Sequence, residues 1–298
     1  MVRLYIIRHA DPDYDTNRAQ GGSLTTNGMK EAAALAHYLK NEGITHAYTS
    51  PLGRAKLTAE LGLREILQFN CNEHDASNNG NCTNNFDMNV GIEPWSRELS
   101  SWRQISHLQD FPTKQSQKKA PAIWDFPSPI IRNQLQELSQ GDSSTPGWKE
   151  SCSDYSNYAE NYKDFCSHLD EFLSRHGIIK NDDDCNYYLS QDTANDPILR
   201  KSKIALFCHG GSGLTMIAHL LNIPLPLVHG GMWLAPSSVT TILFDEYTKP
   251  DKTEPIVVTP RMISMGSTNH LSVAGLSISN SSYEDDFERP SGIKHNFE

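Results

Sequence analysis

Three short apolar stretches constrain this chain most, because each runs directly into chemistry-bearing residues and then into a helix start. Leu4 to Ile7 precedes Arg8-His9, His46 to Thr49 precedes Ser50-Pro51, and Lys203 to Cys208 precedes His209-Gly210-Gly211. Short apolar runs bounded by such residues read as strands buried within a domain. After the first, Thr25 caps a helix in which Met29, Ala33, Ala36 and Leu39 recur at helical spacing before Asn41-Glu42-Gly43. Ser50-Pro51 supplies an N-cap residue and a proline suited to the first helical position, predicting a helix from Leu52 past Leu63. Gly210-Gly211 leads into a helix through Leu214, Ile217, Ala218 and Leu221, stopped by Asn222 and Pro224. A further helix spans Tyr155 to Arg175, with Tyr158, Tyr162, Phe165, Leu169 and Phe172 on one face. Val239 to Phe244 and Ile256 to Ile263 read as two more strands. Strands alternating with helices predict an α/β fold, a three-layer α/β/α domain with a mainly parallel central sheet.

Residues 1–276 read as one domain with a mostly irregular or helical insertion at about 70–150. Asn70 to Asn89 is rich in Asn and Cys, and Gln109 to Gly147 is polar with isolated aromatics such as Trp124 and Phe126. Residues 277–298, rich in Ser, Asp and Asn, read as a flexible tail. The chain is 37% hydrophobic over 298 residues, enough for a substantial core. Its net charge of −10, with no Lys/Arg block, argues against a general nucleic-acid binder. No run approaches the roughly 20 apolar residues of a membrane span. The opening apolar run is broken too early by Arg8-His9 for a signal peptide. The six cysteines form no C-x-x-C pair, which removes support for a zinc ribbon and fits reduced thiols and a cytoplasmic location.

The chemistry concentrates where the three strands end. In an open α/β sheet the carboxyl ends of the strands line the ligand crevice. Arg8, His9, Arg54 and His209, with two helix N-termini, therefore make an anion site suited to a phosphate monoester. Taken singly, each has a plainer reading: a surface Arg-His pair, a solvated helix arginine, a buried histidine, a glycine turn. Their joint position at three strand ends favours the site.

Those same residues carry a resemblance. Arg8-His9 after an apolar strand is similar to the R-H-G signature of the histidine phosphatase superfamily, the phosphoglycerate-mutase-like proteins. Leu24-Thr25-Thr26-Asn27-Gly28 resembles that family's L-T-x-x-G helix start, and Ser50 to Ala59 matches S-P-L-x-R-A-x-x-T-A throughout. Cys208-His209-Gly210-Gly211 resembles its late H-G-G motif. The resemblance implies that His9 is a nucleophile forming a phosphohistidine. Arg8, Arg54, His209 and Gly210 would surround the phosphate, with Asn17 as a further amide, and Glu98 would be the proton donor. It implies no metal and no cofactor, and a small phosphorylated molecule as substrate. Ala10 stands where the family has glycine, and Glu93 is an alternative acid five residues before Glu98.

Phosphatase and mutase share the first half-reaction. Glu98 is followed by Leu99-Ser100-Ser101-Trp102, closer to the phosphatase branch. A phosphomonoesterase is therefore expected, with a phosphoglycerate-mutase-type phosphotransferase or a non-catalytic phosphate-binding relative as alternatives. A serine hydrolase lacks the G-x-S-x-G elbow, and a nucleotide binder lacks a completed glycine-rich phosphate loop. Substrate choice is expected in the insertion, where Trp95, Trp102, Trp124, Trp148, Lys114, Lys118 and Lys119 offer either a binding wall or a packed lid.

Overall fold

The structure, a computed structural model, describes residues 1–72, 90–98, 156–181, 186–247 and 255–279. Most of the expected insertion and the tail lie outside these residues. An eight-stranded sheet forms the centre, in the order β5-β4-β8-β1-β9-β10-β7-β6. Its strands are β1 (Arg3–Arg8), β4 (His46–Thr49), β5 (Gly91–Ile92), β6 (Ile178–Lys180), β7 (Tyr187–Leu189), β8 (Lys203–Cys208), β9 (Val239–Tyr247) and β10 (Val257–Ser267). A small ribbon pairs β2 (Pro12–Asp13) with β3 (Ser23–Leu24). The longer helices are α1 (Thr26–Glu42), α2 (Gly53–Asn72), α3 (Ser156–Ser174) and α5 (Gly210–Leu220). The shorter ones are α4 (Gln191–Asn195), α6 (Leu225–Gly231) and α7 (Asn269–Val273).

Period-two alternation along the central strands divides the core into two layers. Leu4 and Ile6 of β1 join Ile204, Leu206 and Cys208 of β8 against Phe165, Leu169 and Phe172 of α3 and Met216, Ile217 and Leu220 of α5. Tyr5 and Ile7 join Ala205 and Phe207 on the opposite face, against Leu35 and Leu39 of α1 and Ala59, Leu63 and Leu67 of α2. Fully burying each large apolar side chain contributes about 1.5–3 kcal/mol.

The sheet is mixed, which corrects the expectation of a mainly parallel one. β4 pairs in parallel with β5 and β8, and β1 with β8. The β1–β9, β9–β10, β10–β7 and β7–β6 pairings are antiparallel. Connection length explains the β9–β10 and β7–β6 pairings, because parallel neighbours in sequence need a crossover of about a dozen residues or more. Residues 248–256 between β9 and β10, and 181–186 between β6 and β7, are too few.

Local signals place the helices. Thr25 Oγ1 accepts from the Gly28 N–H at 2.9 Å, and Gly43 closes α1 with φ +67°. A Cβ on Gly28 would stand 2.2 Å from the Asp11 carbonyl oxygen, so glycine lets α1 dock on the chain just after His9. α2 begins at Gly53 rather than Leu52, and Ser50 Oγ accepts from the Leu52 N–H at 3.3 Å just ahead of it. No helix among the described residues is long and apolar enough to cross a membrane. Cys166 and Cys208 are buried free thiols.

Candidate active site

The parallel strands β4, β8 and β1 lie side by side, and their carboxyl ends bring Ser50, His209 and Arg8-His9 together. The His9 N–H donates to the Cys208 carbonyl at 2.9 Å, and the Ser237 N–H donates to the His9 carbonyl at 3.1 Å. The His9 ring is 2% exposed, and its centroid lies 5.1 Å from that of His209. Its Nδ1 is 2.8 Å from the Ala10 carbonyl oxygen. A carbonyl only accepts, so Nδ1 carries the proton and Nε2 holds the free lone pair. Burial, then the charges of Arg54, His209 and Arg8, hold the His9 pKa well below 6.5, so the ring is neutral.

His209 caps α5 and is fully buried, with Nε2 2.7 Å from Ser50 Oγ. Burial and the charges of Arg54, Arg8 and Arg97 likewise hold it well below the usual histidine range. Two arginines complete the cationic wall. Arg8, 7% exposed, donates from Nη1 to the Leu234 carbonyl, with its guanidinium 6.0 Å from the Trp233 ring centroid. Arg54, in the first turn of α2 and also 7% exposed, donates from Nη1 to the Gly21 carbonyl and lies 5.3 Å from the Tyr14 ring centroid. Its Nε is buried without a hydrogen-bond partner.

Glu98 faces this wall. Its Oε2 accepts from the Gly211 N–H at 3.0 Å in the first turn of α5, and its Oε1 is buried without a partner. Burial raises its pKa, against the opposing pull of the Gly211 N–H, Arg54 and Arg8. Glu93 points elsewhere: both its oxygens accept from Arg175 Nη2 at 2.9 Å, and Oε2 also accepts from Trp95 Nε1 at 2.7 Å. Each unmet buried polar group costs about 1–3 kcal/mol. Arg54 Nε and a protonated Glu98 Oε1 are both donors, so together they mark a place built for a ligand that supplies acceptor oxygens.

Gly210 opens α5 against Arg8, where a Cβ would stand 3.5 Å from Nε. Asn17 is the outlying member of the expected set. It sits exposed on a turn with φ +56°, its carbonyl accepting from the Gln20 and Gly22 N–H groups. That turn reaches the wall through the Gly21 carbonyl, which accepts from Arg54. Three supporting residues escaped the sequence reading. Ser50 contacts His209 as well as accepting from the Leu52 N–H at 3.3 Å ahead of α2, and its place in the S-P-L motif was a signal. Thr58 Oγ1 donates to the Arg54 carbonyl at 2.7 Å and accepts from the Ala10 N–H at 3.0 Å. His229 Nε2 lies 3.2 Å from both Thr215 Oγ1 and the Gly211 carbonyl. No group of three or more metal-binding side chains occurs among the described residues.

Residues 4–74 match the family model of the histidine phosphatase superfamily (branch 1). This segment belongs to the histidine phosphatase superfamily. It carries Arg8, His9 and Arg54. The chain is 38% identical over 65 residues to a probable phosphoglycerate mutase of Serratia proteamaculans, and 40% identical over 65 residues to one of Photorhabdus laumondii. In each case the aligned stretch is 20% of this chain and 30% of the relative's own length. Similar solved structures include phosphoserine phosphatase from Entamoeba histolytica, at 18% identity and a TM-score of 0.46, covering 91% of this chain and 100% of that one. Phosphoglycerate mutase from Bacillus anthracis is similar at 18% identity and a TM-score of 0.48, covering 91% and 95%.

Proposed function

We propose that this histidine phosphatase superfamily chain is a metal-independent phosphomonoester hydrolase working through a phosphohistidine at His9. The observation that carries the reading is the bare Nε2 of a neutral His9 beside two buried guanidinium groups, with the unmet Oε1 of Glu98 on the same site. A phosphate monoester supplies oxygen acceptors for Arg8, Arg54 and His209 and presents its phosphorus to Nε2. The Nε2–P bond forms as the ester P–O bond breaks, and the leaving oxygen takes the proton of Glu98. Water then attacks the phosphohistidine, giving its proton to the Glu98 carboxylate, and inorganic phosphate and neutral His9 are restored. Fixed cations meet the charge on the phosphoryl oxygens, so no metal is needed in this scheme.

The names of the curated relatives favour a second reading, transfer of the phosphoryl group to a second hydroxyl of phosphoglycerate. One pair of assays separates the two. The hydrolase reading expects release of inorganic phosphate from an aryl phosphate, undiminished by EDTA, and no interconversion of 2- and 3-phosphoglycerate. Interconversion without net phosphate release would replace it by the mutase reading, and loss of activity on chelation would contradict both.

A further inference from the structure

Behind His9 the chain continues into a buried carboxylate that the scheme above does not use. His9 Nδ1 donates to the Ala10 carbonyl at 2.8 Å. That carbonyl belongs to the same peptide plane as the Asp11 N–H, which donates to Glu31 Oε2 at 2.9 Å. Glu31, on α1, is fully buried, and its Oε1 accepts from Asn27 Nδ2 at 2.9 Å. The Ser279 backbone hydrogen-bonds to it as well. Burial raises the Glu31 pKa, opposed by the Asp11 N–H, Arg8 and the Ser279 backbone. With both oxygens met by donors, the ionised form is the one this geometry accepts without rearrangement.

We propose that Glu31 is a positioning residue that acts on His9 through the Ala10–Asp11 peptide. A carboxylate drawing on the N–H of a peptide increases the negative charge on that peptide's carbonyl oxygen, and a more basic carbonyl binds the His9 Nδ1–H more strongly. The result holds one tautomer, fixes the ring plane and raises the basicity of Nε2. It does the work of the carboxylate often found behind an active histidine, with one peptide interposed. Asp11 itself is turned away, its Oδ2 accepting from Thr25 Oγ1 at 2.6 Å. Asp11 and Arg8 are the charged groups facing Glu31, whereas Arg54, His209 and Arg8 face His9. Among the described residues, Glu31 is the carboxylate that reaches His9 by way of the hydrogen-bonded peptide.

The inference rests on His9 being the nucleophile for its effect on rate, but its effect on the ring can be read without any substrate. Glu31→Gln keeps shape and an acceptor for the Asp11 N–H while removing the charge. Nitrogen-15 NMR of the His9 ring should show its pKa lowered in this variant, and the acid limb of kcat/KM for an aryl phosphate should move to lower pH with it. The single-turnover phosphorylation rate should fall by less than the roughly 10- to 100-fold lost when the direct hydrogen-bond partner of a metal-bound histidine is removed. A His9 ring titrating identically in both proteins would overturn the relay, whatever the activity. A shifted ring with no phosphoenzyme in the parent supports the relay and removes only the nucleophile reading. Should the variant not fold, the parent alone decides. Vanadate drawing on Nε2 must move the Asp11 amide proton resonance downfield, and an unmoved resonance would also overturn the proposal.

Discussion

Gly211→Ala separates the placement of Glu98 from the stability of the fold. A methyl group on Gly211 would stand 2.4 Å from Glu98 Oε1, 3.2 Å from its Cδ and 3.4 Å from Oε2. The first distance lies about 1 Å inside ordinary van der Waals contact, so the carboxylate must leave and its bond to the Gly211 N–H goes with it. Two stability effects then oppose each other. Alanine gains about 1 kcal/mol over glycine in a helix, while a hydrogen bond to a charged group contributes about 1.5–3 kcal/mol. The net change is therefore a loss of about 2 kcal/mol at most. Displacing a general acid removes up to the full 10²–10⁴-fold that such a group contributes, roughly, for an alkoxide leaving group. An activated aryl leaving group departs without a proton and should lose far less. The assay pairs thermal unfolding with single-turnover rates on an alkyl and an aryl phosphate. Equal losses on both substrates, or a collapse in stability, would refute the assignment of Gly211 as the seat of the acid.

Glu98→Gln should give the same leaving-group dependence without crowding α5, whereas Glu93→Gln, which disturbs the Arg175 and Trp95 contacts instead, should leave both single-turnover rates nearly unchanged. A large effect of Glu93→Gln on the alkyl substrate would exchange the two roles. Stability should also fall in acid. Burial lowers the pKa of His229 and of His270 to about 4, below the roughly 6.5 of an unfolded histidine. Between those values the unfolded chain binds more protons, so stability is lost as pH drops from 6.5 towards 4. An unfolding midpoint that stays level across that window would contradict the burial of these rings in neutral form.

The part of the fold that carries the site was legible because it is local. Apolar runs, a threonine cap, a closing glycine and cap-like residues at strand ends sufficed for β1, β4, β8, α1 and α5. In the antiparallel half β9 and β10 were legible as strands, but their direction was not, since it depends on how little chain joins them and on which neighbour each finds. Within the site, arginines and histidines at strand ends announced themselves. The choice between Glu98 and Glu93 did not, because it is decided by partners distant in sequence: Gly211 for one, Arg175 and Trp95 for the other. Ser50 was legible as a cap-like residue, and its Oγ does accept from the Leu52 N–H, but its second contact with His209 comes from a partner distant in sequence and was not legible. Glu31 gave no signal, being one acidic residue among several on an amphipathic helix. Trp102, Trp124, Trp148 and the insertion lysines, on which substrate choice was expected to depend, lie outside the described residues.

The central claim is a covalent bond between phosphorus and His9 Nε2, and acid-quench labelling tests it most directly. Mixing the enzyme with a phosphorus-32-labelled phosphomonoester and quenching within milliseconds should trap a phosphoenzyme that is stable in base and labile in acid. Peptide mapping should place the label on His9, and His9→Ala should fold normally and take up none. Label retained by His9→Ala, or a phosphoenzyme stable in acid, would contradict the account.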